Sequence, residues 1–274
     1  MRKLLLSGLL AASATAALAA PAIDFTAVSS GNTTLGLSNG SSVTVTSWPT
    51  FNATQIDSFS YMGVGVSGWV YSGNTSYTQN SGYLWLRNNT ADHGLGYCST
   101  NEVCGATNTT GDGDYNELSN NPNNDIVRLA LSTGKKWTDI QISSLDTGGT
   151  NSNEAGTFYW SSSATPNLNT STNRINFSHN GLGWSSSTVE GSIFSYLLAN
   201  GFDVNAPYIF FRAGSWNSSG VNSNGTNNDY VVWGVNVGVP QQQVPEPASC
   251  LLVLAGLLAF GLRYPSKAQR ISVG

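Results

Sequence analysis

The sequence predicts an all-β protein. The expected body is an antiparallel β-sandwich or jelly-roll-like ectodomain with one short helix, between an N-terminal signal peptide and a C-terminal hydrophobic helix. Three observations carry that expectation. Apolar and small polar residues alternate with period two from position 41 onward. The alternating runs are rich in Val, Ile, Thr, Tyr, Phe and Trp, and most are bounded by Gly, Asn, Asp or Ser. The two strongly apolar segments sit at the ends of the chain.

Nine runs read as strands: 42–47 (SVTVTS), 55–71 (QIDSFSYMGVGVSGWVY), 82–88 (GYLWLRN), 125–131 (DIVRLAL), 137–145 (WTDIQISSL), 156–161 (GTFYWS), 173–177 (NRINF), 208–214 (YIFFRAG) and 229–239 (DYVVWGVNVGV). Alternation of this kind buries one face and exposes the other, as antiparallel sheets do. In DIVRLAL, Val127, Leu129 and Leu131 share one face and Arg128 points the other way. One segment departs from the pattern. STVEGSIFSYLLANG offers Ser187 or Thr188 as N-cap, Glu190 in the first turn, an apolar stripe of Ile193, Phe194, Leu197 and Leu198, and Gly201 past the end. It predicts a short helix closing an open side of the sandwich. Segments 31–41, 105–124, 147–155, 161–172 and 215–228, rich in Gly, Asn, Ser and Thr, read as loops.

Charged residues make up only 9% of the 274 residues, against roughly 25% in ordinary soluble domains. Solubility therefore rests on neutral polar side chains, while 11% aromatics supply a core. Between positions 22 and 243 stand six basic residues, Arg87, Arg128, Lys135, Lys136, Arg174 and Arg212, against fourteen acidic ones. A body that acidic argues against nucleic acid as a partner, because phosphate binding needs clustered Lys and Arg.

At the N-terminus, Arg2 and Lys3 precede an apolar stretch over 4–18, and Ala17-Leu18-Ala19 supplies a small-x-small cleavage pattern. Residues 1–19 thus read as a secretory signal peptide. Residues 20–238 form the ectodomain, 239–247 (VPQQQVPEP) a linker, and 248–274 a membrane helix with a basic tail. The apolar run over 250–262 has 13 residues, about 20 Å as a helix, against a bilayer core of about 30 Å. Arg263, Lys267 and Arg270 follow, which keeps the tail cytoplasmic and the body exported.

The combination of Val244, Pro245, Glu246, Pro247, Ala248 and Ser249, a short apolar helix and terminal basic residues resembles the PEP-CTERM sorting signal, here spanning 244–270, and departs from it in that the basic residues are dispersed. That resemblance implies a Gram-negative surface protein, exported by the general secretion machinery and held briefly in the inner membrane. An exosortase would then process it for the cell envelope, the surface or the extracellular space. The implied setting is exopolysaccharide or biofilm matrix. Physically, the two prolines hold the motif extended and defer the helix to Ala248. The stretch from GLGYCSTNEVCG to DIVRLAL is loosely similar to ectodomains of the same family and implies a non-catalytic sandwich.

Cys98 and Cys104, in GYCSTNEVCG, suit a small disulfide loop in an oxidising compartment. For metal ligation, no second cysteine pair or His completes a zinc set, and free thiols are the remaining alternative. Asp112, Asp114 and Glu117, in GDGDYNE, offer hard oxygens that suit a structural calcium ion; the same residues also suit a solvated Gly-Asp turn. No other cofactor is expected. Of the two histidines, His93 reads as a surface-loop residue beside the cysteine loop. No nucleophile elbow, HExxH or phosphate-binding glycine loop accompanies it or His179.

The expected function is a non-catalytic structural or matrix-interaction role at the cell surface. The alternative is a carbohydrate-binding, lectin-like module, with Trp184, Trp216, Tyr77 or Tyr83 stacking on sugar rings unless they pack in the core. A secreted hydrolase is the third reading, which the missing catalytic motifs disfavour.

Overall fold

The computed structural model of the chain describes residues 22–25, 33–37, 42–45, 58–72, 76–78, 82–88, 93–99, 118–119, 125–147, 154–185, 187–217, 220–221 and 229–239. The chain divides into two units, Met1–Gly238 and Val239–Gly274. The signal peptide, the Pro-Glu-Pro motif, the apolar run and the basic tail lie outside the described residues.

In chain order the strands are β1 (Ile23–Asp24), β2 (Thr33–Leu37), β3 (Ser42–Val45), β4 (Ser58–Tyr61), β5 (Val64–Ser72), β6 (Ser76–Thr78), β7 (Gly82–Asn88), β8 (His93–Ser99) and β9 (Leu118–Ser119). Then come β10 (Asp125–Leu131), β11 (Lys136–Ser143), β12 (Ala155–Ser161), β13 (Arg174–Ser178), β14 (Gly191–Ser192), helix α1 (Phe194–Ala199), β15 (Tyr208–Ala213), β16 (Trp216–Asn217), β17 (Gly220–Val221) and β18 (Asp229–Gly238). A nine-stranded sheet runs β13-β12-β15-β10-β5-β4-β2-β3, with β6 on β5. A seven-stranded sheet runs β14-β11-β18-β8-β7, with β1 and β9 on β18. The pairings in both are antiparallel, and β16 and β17 form a small separate pair. The protein is therefore mostly β with one short helix.

One buried cluster draws on both sheets. Val66, Val127, Leu129, Phe158 and Phe211 of the larger sheet join Leu84, Leu95, Ile140, Ile142, Val232 and Val235 of the smaller. Each such side chain contributes about 1.5–3 kcal/mol through removal from water. The sheets meet closely at Gly68 of β5, on the same face as Val127. A Cβ there would stand 2.0 Å from Cδ2 of Tyr97 on β8, so the tyrosine ring occupies the space that any larger residue would need.

The strand runs from 125 onward, and those over 42–47 and 82–88, lie close to where the alternation puts them. Elsewhere the structure differs in instructive ways. The run over 55–71 is two strands, because the chain reverses at Met62 (φ 49°) and Gly63 (φ 82°). Tyr61 pairs with Val64 across this two-residue turn, whose positive φ at both central positions matches type I′. The glycine-containing runs TTLGL and HGLGYCS are strands β2 and β8 rather than loops, so His93 opens a strand paired with Asn88. Residues 216–221 carry the β16–β17 pair inside an expected loop.

Helix α1 begins at Phe194, later than expected, because Gly191 and Ser192 pair with Ile142 and Gln141 of β11. Leu197 is buried, whereas Leu198, expected on the buried stripe, is 45% exposed. The helix ends as expected at glycine. Gly201 (φ 90°) lets its own N–H reach the Leu198 carbonyl and that of Phe202 reach Leu197, the paired bonds of a Schellman motif.

Two substitutions test this packing. Gly68→Ala is expected to lower unfolding free energy by about 1–3 kcal/mol, as overpacking does, in urea titration. Met62→Asn is expected to raise it by up to about 1 kcal/mol, because Asn adopts the left-handed conformation with less strain.

Candidate functional site

Strand pairing builds the outer face of the nine-stranded sheet in rows. Trp69, Ile126, Arg212, Thr157 and Asn176 stand opposite one another on successive strands. The adjacent row holds Ser67, Arg128, Phe210, Tyr159 and Arg174. Three of the six basic residues of an acidic body thus share one sheet face, interleaved with aromatic rings.

The centre of that face is closed. Trp69, Ile126, Tyr159 and Phe210 form a second apolar cluster, sealed by Leu168 from the segment over 162–173. This segment was expected as a plain loop. Its Leu168 is completely buried, and its backbone is tied down by arginines. Arg128 Nη1 donates to the Ala164 carbonyl at 2.8 Å, and Arg174 Nη1 donates to the Ser171 carbonyl. The Arg128 guanidinium lies 4.9 Å from the Trp69 ring centre and 5.8 Å from that of Tyr208. The Trp69 indole N–H donates to Ser67 Oγ at 2.9 Å. Cation–π attraction of this kind contributes about 0.5–2 kcal/mol.

At the margin of the face, Arg174 covers one side of the Trp216 ring, with Cζ 3.3 Å from the ring centre. Asn176 pairs with the Trp216 backbone as a neighbouring strand would. Its Nδ2 donates to the Trp216 carbonyl at 2.8 Å and its Oδ1 accepts from the Trp216 N–H at 3.1 Å. The same N–H lies 3.0 Å from Thr157 Oγ1, which donates to the Gly214 carbonyl at 2.7 Å. Tyr196 of α1 donates to the Asn176 carbonyl at 3.0 Å. Tyr196 thereby caps one backbone carbonyl of β13, which pairs only with β12 among the described residues.

Trp184, a second sugar-stacking candidate, is half-buried against the main core, edge-on to His179 at 6.0 Å. His179 is buried, with Nε2 2.8 Å from the Thr188 carbonyl, so the neutral ring carries its proton on Nε2. The side chains of Tyr77, Tyr83 and His93 lie outside the described residues. Cys98 is buried in β8 and disulfide-bonded. Cys104, Asp112, Asp114 and Glu117 lie outside the described residues. Within those residues no three His, Cys, Asp or Glu side chains stand together as a metal site, and no helix is long and apolar enough to cross a membrane.

On the inner side, Tyr230 is fully buried edge-on to Phe177 and donates its hydroxyl to the Arg212 carbonyl at 3.1 Å. Burial holds this phenol well above its ordinary range and Tyr159 adds to the rise, while the bond to Arg212 opposes it. The folded chain keeps this proton after the unfolded chain has lost its own. Its contribution to stability is therefore full below about pH 10 and falls as pH rises above that. Urea titrations across this range are expected to show the decline, and Tyr230→Phe to make it shallower while costing about 1 kcal/mol at neutral pH. An unchanged alkaline slope in the variant would count against Tyr230 as its source.

Sequence reasoning placed Arg128 away from the core but did not anticipate its aromatic partners, which arrive from β5 and β15 through sheet pairing. Comparison with protein-family models, with curated proteins and with solved structures finds no match to this chain.

Proposed function

We propose that the chain is an exported cell-surface or extracellular-matrix protein, a β-sandwich with a non-catalytic structural or interaction role. The observation that carries this reading is the C-terminal series of Val244 to Ser249, a 13-residue apolar run too short for an ordinary span, and then Arg263, Lys267 and Arg270. In this reading the general secretion machinery exports the chain. The apolar helix dwells in the inner membrane until an exosortase-type enzyme cuts near the Pro-Glu-Pro motif, and the body passes to the envelope or beyond, in contact with exopolysaccharide. A Cys98–Cys104 disulfide and a structural calcium ion on Asp112, Asp114 and Glu117 belong to the same proposal.

Several physical features support a structural role over a catalytic one. The arginines of the outer face hold backbone carbonyls and aromatic rings of the body itself. The carboxylate of Asp139 accepts from Ser192 Oγ, Gln141 Nε2 and the Ile140 N–H, and that of Glu190 from Ser143 Oγ. Of these, the Ser192 bond ties β14 to β11, and the Ser143 bond ties the residue before β14 to the end of β11. For the lectin-like alternative, one face of Trp216 is taken by Arg174 and Trp184 leans on the core.

Mass spectrometry of the protein recovered from the cell surface tests the reading. The expected product lacks the signal peptide and everything beyond the Pro-Glu-Pro region, and a non-reducing digest joins the Cys98 and Cys104 peptides. A C-terminus intact to Gly274 would replace the sorting signal with a simple tail anchor.

A further inference from the structure

The body begins and ends at one place. Strand β18 runs to Gly238, which pairs with Lys136 at the start of β11. Strand β1 runs antiparallel to β18, with Ile23 opposite Val235, and the Ala22 N–H donates to Asn236 Oδ1. The first strand therefore starts beside the point where the last one finishes.

Two turns in contact share that end of the sandwich. The β10–β11 turn holds Lys135, exposed, and leads into Lys136, half-buried. These are two of the six basic residues between positions 22 and 243. Among the described residues neither is paired with a carboxylate. In the turn bonded to the Trp137 N–H through the Val204 carbonyl, the Asp203 carboxylate accepts from the Asn205 N–H at 2.9 Å. The β4–β5 turn lies against the β10–β11 turn, because Leu131 pairs with Val64 and Ser132 Oγ donates to the Gly63 carbonyl. At its tip Met62 is 60% exposed with a φ of 49°. An apolar side chain thus stands in water, on a backbone conformation that asparagine or glycine would hold with less strain. Fold stability does not account for methionine there.

We propose that this end of the body is a docking surface for an anionic phospholipid bilayer. Lys135 and Lys136 meet headgroup phosphates, and Met62 enters the boundary between headgroups and acyl chains. The proposal rests on the reading of the C-terminal apolar run as a membrane helix. Residues 239–247 are then the tether, which spans about 30 Å at full extension. Each lysine near such a surface strengthens binding about fivefold, and the pair about thirtyfold. That is weak for a free protein. A short tether supplies the rest, by holding the two surfaces at an effective concentration on the order of millimolar.

The test adds the full chain to preformed vesicles of phosphatidylcholine, alone or mixed with phosphatidylglycerol. Flotation reports the tether. Dilute hydrogen peroxide then converts Met62 to its sulfoxide, and mass spectrometry of its peptide gives the rate. Met62 is expected to oxidise about fivefold more slowly on the anionic vesicles at low salt. The difference is expected to vanish at about 0.5 M salt, where screening leaves charges a reach of only a few ångströms. It is also expected to vanish when Lys135→Ala and Lys136→Ala are combined. Flotation with equal Met62 rates on both vesicles would overturn the docking surface and leave the anchor standing. Absence of flotation with either lipid would remove the anchor, and the docking surface with it. Slowing that survives the double lysine variant, or that grows with protein density on neutral vesicles and so assigns this end to a second copy, would also overturn the proposal.

Discussion

Strand β10 has almost no side chain in open water, and the architecture follows from that constraint. Its inward residues Val127 and Leu129 sit in the core common to both sheets, while Ile126, facing the other way, is equally buried. A strand buried on both sides needs cover on both sides. The seven-stranded sheet supplies one cover. On the other side the cover is a short uncharged segment of chain whose single large apolar residue, Leu168, fills the gap among Trp69, Tyr159 and Phe210.

Covering the second face creates a difficulty of its own, because Arg128 and Arg174 belong to that face. An arginine half out of water loses hydration that must be replaced. Here aromatic faces and backbone carbonyls replace it, and the carbonyls come from the covering segment itself. The charged side chains thus act as fasteners for the segment that hides them. The edge strand follows the same logic, with the Tyr196 hydroxyl taking a bond that a further strand would make to the Asn176 carbonyl, and the Asn176 side chain satisfying the Trp216 backbone beside it.

The parts legible in the sequence are those where one strand decides its own pattern. DIVRLAL alternates cleanly, and β10 coincides with it. Strands β2 and β8 were hidden because glycine interrupts their apolar pattern, and glycine in isolation signals a loop; in Gly68 it serves instead to admit Tyr97. The Met62-Gly63 reversal lacks the Asn or Asp that marks such turns. The helix start was displaced by a pairing with β11, a partner distant in sequence. The cage around Arg128 was invisible for the same reason. Its direction is local information, but its neighbours are assigned only when β5 and β15 settle on either side.

The placement of the few basic residues also bears on digestion. Enzymes that cut beside lysine or arginine need several residues of extended, accessible backbone around the target. Arg128, Arg174 and Arg212 stand on paired strands, with Arg212 only 3% exposed. Lys135 and Lys136 sit at the tight turn into β11, where the Lys135 N–H is bonded to the Ser132 carbonyl. Among these five positions the folded body presents no slack peptide to trypsin-like enzymes. Scarce charge, which first marks the chain as unusual for a soluble protein, also leaves a common class of protease few handles, and these five are held in paired strands or a bonded turn.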